Sequence, residues 1–167
     1  MNIYGFEKGK ETEKAIKHFL GLPEEISKSG QIDAIYNNVT IEIKRKACYL
    51  YEGKSFNHYR NVNNVMDKLI ENAFYNIGSN KGTALERSDR IAYSIDGTTE
   101  NTYVLSTRLF LRIVKDEKVA KFYKQGNNKI VRIVPTKSFM QTIMETPTSM
   151  RLADWKEWED NRGKGRA

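Results

Sequence analysis

The stretch Gln31-Ile32-Asp33-Ala34-Ile35-Tyr36-Asn37-Asn38-Val39-Thr40-Ile41-Glu42-Ile43-Lys44 reads as two short strands around a two-residue turn. Asn tolerates positive φ better than most residues, so Asn37-Asn38 suits a tight hairpin. That turn sets Tyr36 opposite Val39, Ala34 opposite Ile41 and Ile32 opposite Ile43. These residues form one apolar face, and the period of two sends the others to the opposite face. There Asp33 stands across from Glu42, and Gln31 across from Lys44. Directly opposed Cβ atoms are roughly 4.5–5.5 Å apart, so the two carboxylates can share one divalent cation. Lys44, two residues beyond Glu42, points to the same side.

This constellation has a chemical use. Hydrolysis of a phosphodiester needs a nucleophilic water, neutralisation of the phosphoryl oxygens and help for the leaving oxygen. A hard cation held by carboxylates supplies much of the first two. A lysine beside it orients the water and stabilises developing charge. Acid-x-lysine triplets are common on strands, and a plain solvated hairpin would leave Glu42 and Lys44 facing water. Two opposed carboxylates on such a face repel each other. The pairing with Asp33, with clean apolar alternation behind it, sets this hairpin apart.

The pattern Asp33, eight residues, Glu42-Ile43-Lys44 resembles the PD-(D/E)XK nuclease superfamily, which includes many restriction endonucleases. The resemblance implies an α/β fold with a three-layer restriction-endonuclease-like core, a mixed central β-sheet flanked by α-helices. It also implies hydrolysis of nucleic-acid phosphodiesters with Mg²⁺, for which Mn²⁺ would substitute. Carried over by position, Asp33 and Glu42 would ligate the metal, the Ile43 carbonyl would lie near it, and Lys44 would be the catalytic lysine. Many members add a glutamate on the preceding helix, a few residues after a glycine. Gly9 followed by Glu13 fits that, with Glu11 as the rival. Ile32 stands where the family name has proline, a position that varies across the superfamily. The resemblance covers about the first third of the chain.

At 167 residues the chain suits a single domain with a real core. No apolar run reaches transmembrane length, and residues 1–8 lack the apolar region of a signal peptide. Cys48 is the sole cysteine, so no internal disulfide forms, and a cytoplasmic location is expected. The net charge of +7 favours a polyanionic partner such as DNA, with RNA as a second candidate and no membrane. Arg162, Lys164 and Arg166, interleaved with glycine, make residues 161–167 a basic tail expected to be flexible and able to grip phosphate. Lys46, on the face of Lys44, and Arg60 are the other candidate phosphate contacts.

Hydrophobic spacing predicts a helix over about Glu7–Leu20, with Gly21 and Pro23 ending it. Glu11 and Glu13 fall on opposite edges of its apolar stripe. A three-and-four repeat predicts a helix over about Asn57–Ile77, capped by Gly78. Ser79–Asp89 reads as a loop. Strands are expected at Arg90–Ile95, Thr102–Ser106 and Lys129–Val134, the last ended by Pro135. Helices are expected at Thr107–Val114, Thr136–Met144 and Met150–Glu159. The last carries Leu152, Trp155 and Trp158 toward the core or a second subunit.

There is no glycine-rich phosphate loop and no zinc spacing of Cys and His. Three functional classes remain. The first is a metal-dependent deoxyribonuclease, an endonuclease of restriction, phage or repair type, for which double-strand cutting would ask for a homodimer. The second is a nucleic-acid-binding module with a vestigial nuclease site. The third is an assembly factor that uses the Trp155–Trp158 helix.

Overall fold

Asn37 and Asn38 both adopt positive φ, 50° and 67°, as a primed hairpin turn requires. The computed structural model describes residues 3–28, 31–45, 68–73, 87–116, 121–125 and 129–164. In it the turn joins β1 (Ala34–Tyr36) to β2 (Val39–Arg45). The register is the expected one, with Ala34 opposite Ile41 and Tyr36 opposite Val39. The ladder ends sooner than expected, because Ile32 and Asp33 precede β1. Asp33 instead meets β2 through its side chain, accepting the Ile43 N–H at 2.8 Å. Gln31 does not face Lys44 across a ladder. Its side-chain oxygen takes the Lys28 N–H at 2.9 Å and closes a turn.

β2 runs parallel to β4 (Arg90–Ser94), which pairs antiparallel with β5 (Thr102–Ser106), itself edged by β8 (Met150–Arg151). The result is a mixed five-stranded sheet in the order β1-β2-β4-β5-β8. Asp89 starts the parallel pairing: its carboxylate accepts the Thr40 N–H at 3.0 Å and the Thr40 hydroxyl at 2.9 Å.

Alternate residues of these strands face two cores. Ile41, Ile43, Ala92 and Val104 pack with Ile16 and Leu20 at the end of α1 (Ile3–Phe19) and with Leu152 and Trp155 of α4 (Leu152–Lys164). Ile91, Tyr93, Tyr103 and Leu105 pack with Leu109, Phe110 and Ile113 of α2 (Thr107–Lys115) and Phe139 and Ile143 of α3 (Thr136–Glu145). Helices thus cover both faces of the sheet. A second, antiparallel sheet of β3 (Lys68–Ala73), β7 (Lys129–Pro135) and β6 (Lys121–Gln125) contacts α2 and α3 through β7. Among the described residues, no helix is long and apolar enough to cross a membrane.

Local signals set several boundaries. α1 ends in a Schellman motif: Leu22 N–H bonds the Lys17 carbonyl at 2.8 Å and Gly21 N–H the His18 carbonyl at 3.0 Å. Gly21 supplies the positive φ of 71° at that cap. The Ser106 hydroxyl caps α2 by accepting the Leu109 N–H at 3.1 Å. Between β4 and β5, Gly97 lies so close beneath Arg45 that a Cβ would come within 2.2 Å of its Nη1.

The expected helix over Asn57–Ile77 is corrected for its described part. Residues 68–73 form β3, with Leu69 opposite Val134 and Ile70 opposite Ile133; residues 57–67 and 74–77 lie outside the described residues. An apolar repeat favours a helix only while no partner strand competes, and β7 supplies one. β6 was not expected at all, since Lys-Phe-Tyr-Lys-Gln has little apolar alternation; its pairing with β7 makes it a strand. α4 extends to Lys164, beyond the expected end at Glu159 and into the segment expected to be a flexible tail.

The hairpin tip is fastened to α4. The Tyr36 hydroxyl donates to Asp160 Oδ1, Asn37 Nδ2 donates to the same oxygen at 3.3 Å, and Lys156 Nζ pairs with Asp160 Oδ2 at 3.0 Å. These bonds, that of Tyr36 foremost, hold the Asp160 carboxyl below its ordinary 3.8. Burial, then the bond to Asp160, raises the Tyr36 phenol above its ordinary 10.0. The depressed acid stabilises the fold above 3.8 and loses that contribution as pH falls through its lowered value. The raised phenol stabilises below 10.0 and loses its contribution as pH climbs through its raised value. Urea unfolding across pH is therefore expected to show Tyr36→Phe less stable than wild type at neutral pH, with the gap narrowing in strong acid and strong base.

Candidate functional site

β2 is the strand that carries the candidate chemistry, and it lies between β1 and β4 with Ile41, Glu42 and Ile43 all buried. Glu42 is 8% exposed, so its carboxyl needs a partner. Asp33 lies within reach of it, and Glu42 is among the groups that lower the Asp33 carboxyl. Lys44 is half-buried on the same face of β2, and its positive charge acts on Asp33. Asp33, Glu42 and Lys44 thus lie near one another, Asp33 reaching the other two from just outside β1.

Burial by itself would raise the Asp33 carboxyl. The bonds to Glu42, to the Ser27 hydroxyl and to the Ile43 N–H, with the charge of Lys44, outweigh it and hold Asp33 below its ordinary 3.8. Asp33 is therefore an anion at neutral pH, held on one side by backbone and on the other by Ser27.

Glu13 turns inward from α1 and is 7% exposed, whereas Glu11 is exposed. Glu13 Oε1 pairs with Lys17 Nζ at 3.2 Å, one helical turn on. The same oxygen accepts the Ser27 N–H at 3.2 Å and contacts the Ser27 hydroxyl at 2.7 Å. Ser27 Oγ also donates to Asp33 Oδ1. Glu13 is therefore joined to Asp33 through Ser27. Lys17, 6% exposed, completes the corner with a 2.5 Å bond to the Glu25 carbonyl. A cleft of about 320 Å³ opens here, lined by Lys17, Ser27, Gln31, Asp33 and Ile35 among others.

Ser27 and Lys17 are functional candidates that sequence reasoning missed. Lys17 had a signal, the four-residue spacing from Glu13. Ser27 had none, because its role depends on the return of the chain after Pro23.

The candidate phosphate contacts fare differently. Lys46, Arg60 and Arg166 lie outside the described residues, as does Cys48. Lys164 is the last residue of α4. Arg162 is engaged within the chain, bonded to the buried Glu159 at 2.5 Å and stacked 5.1 Å from the Trp158 ring. Of the stripe on α4, Leu152 and Trp155 are core, and Trp158 is 43% exposed.

No family model, no curated protein and no solved structure matches the chain. Among the described residues, no group of three or more His, Cys, Asp or Glu stands together to hold a metal ion. The local donor set is two carboxylates in contact, with a lysine beside them. Two such groups require a proton or a cation between them.

Lys17 and Glu13 form a buried ion pair whose lysine removal would strand a charge. Lys17→Met is expected to destabilise the protein by about 3 kcal/mol, with part of the loss recovered when Glu13→Gln is added. Urea denaturation of the single and double variants measures both.

Proposed function

We propose that this chain is a metal-dependent nuclease that hydrolyses DNA phosphodiester bonds, with a restriction-endonuclease-like arrangement of its α/β core. The observation that carries the proposal is the contact of Asp33 with Glu42 beside Lys44. Three features support it: helices on both faces of a mixed sheet, the hairpin register and the positive net charge of +7.

The residues fit a hard divalent cation. Mg²⁺ typically takes only one or two carboxylates from a protein and fills its remaining positions with water and substrate phosphate. Asp33 and Glu42 would hold it, and the need for positive charge between them would be met. A zinc-type cage would require more protein ligands than stand together among the described residues. When bound, the metal supplies Lewis acidity toward the phosphoryl oxygens.

The chain's own groups do the rest. Asp33 is kept ionised and in a fixed orientation by the Ile43 N–H and Ser27. In this reading the Lys44 ammonium, whose charge acts on Asp33, would hold a water through hydrogen bonds and stabilise charge that builds on the phosphate. Its charge also offsets that of the two acids. Helices covering both sheet faces hold β2 rigid, so these groups need little rearrangement before reaction.

The test is a panel of supercoiled plasmid, linear duplex, single-stranded DNA, a branched junction and RNA, with Mg²⁺, Mn²⁺ or EDTA. Metal-dependent cleavage is expected, with DNA preferred and 5′-phosphate and 3′-hydroxyl ends. Lys44→Ala is expected to lower kcat by about 10²–10³-fold, and Asp33→Ala to abolish cleavage. Binding of nucleic acid without cleavage of any substrate, unchanged in both variants, would identify a non-catalytic binding module instead.

A further inference from the structure

Glu13 is separated from Asp33 by one side chain. Ser27 Oγ lies 2.7 Å from Glu13 Oε1 and bonds to Asp33 Oδ1. That hydroxyl carries one proton and has two lone pairs. Glu13 Oε1 is already engaged by the Ser27 N–H and by Lys17 Nζ, each at 3.2 Å. A carboxylate whose charge is offset by a buried lysine, and whose oxygen receives several donors, is poorly placed to complete a metal shell. It is well placed to fix the group in front of it.

We infer that Ser27 is a positioning residue, held at its N–H by Glu13 on α1 and giving its one hydroxyl proton to the Asp33 carboxylate, so that Glu13 acts on the metal site through Ser27 and not as a ligand. The inference rests on the metal-binding part of the proposed function and differs from the direct ligand role expected for Glu13. Three supports converge on Asp33: the Ile43 N–H holds Oδ2, Ser27 holds Oδ1, and Glu42 meets the carboxylate from β2. Removing the hydroxyl frees one oxygen to rotate away. Lys17 anchors the far end of the relay, because its second bond, to the Glu25 carbonyl, ties α1 to the segment that delivers Ser27.

The experiment measures Mn²⁺ binding to the full chain by titration calorimetry, without nucleic acid, so that cleavage plays no part in the readout. The informative pair is Ser27→Val and Ser27→Thr, alike in shape and different by a hydroxyl. Ser27→Val is expected to weaken Mn²⁺ affinity on the order of tenfold, and Ser27→Thr to restore most of it. Glu13→Gln is expected to weaken binding no more than Ser27→Val, and to add little in the double variant, since both act through one connection. Thermal unfolding in EDTA checks that each variant is folded. Equal affinity of the Val and Thr variants would overturn the inference. So would a Glu13→Gln loss far larger than that of Ser27→Val and fully additive with it. A wild type that binds no Mn²⁺ would remove the metal site and the inference together. A wild type that binds Mn²⁺ and cuts nothing would remove only the nuclease.

Discussion

Glu42 occupies the central part of a strand flanked by β1 and β4 and covered by helices, and this burial of an acid governs much of what surrounds it. A buried carboxyl must be hydrogen-bonded or neutralised. Asp33 meets it from the chain leading into β1, Lys44 adds positive charge on the same strand, and Ser27 holds Asp33 from behind. The hairpin therefore does two things at once. One face closes the core against α1 and α4, and the other gathers charge that the core cannot accept.

The segment between α1 and β1 is what brings these groups together. The Schellman end of α1 reverses the chain after Gly21, and Lys17 holds the returning backbone at Glu25. Ser27 then arrives between Glu13 and Asp33. Each contact spans only 6 to 14 residues in sequence, so the acidic corner is assembled largely by local chain geometry. The sheet adds the opposing strand. At the other end of the hairpin, Asp160 of α4 receives Tyr36, Asn37 and Lys156, so the site is braced from both termini of the chain.

Several readings were legible in the sequence because their causes are local. The Asn37-Asn38 turn and the alternation around it set the register, since strand side chains have a period of two and the turn leaves no freedom to slip. Gly21 and Pro135 marked boundaries by backbone chemistry that involves few other residues. Glu13 matched the family spacing from Gly9 with Glu11 as its rival on the opposite edge of the stripe, and it is burial that separates the two. The strand β3 was not legible: Leu69, Ile70 and Ala73 satisfy a helical repeat, and only pairing with β7 makes the segment extended. Residues 46–67 and 74–86 stand outside this comparison.

The sequence by itself determined which residues could do chemistry: an acid, an acid and a lysine at spacings that a hairpin converts into one face. Tertiary structure decided how they are connected. It buried Glu42, placed Asp33 outside the ladder, inserted Ser27 before Glu13 and committed Arg162 to Glu159 and Trp158. The reason is physical. Periodicity and turn propensity are properties of neighbouring residues, whereas burial and hydrogen-bond partners are properties of the three-dimensional surroundings, which no local pattern encodes.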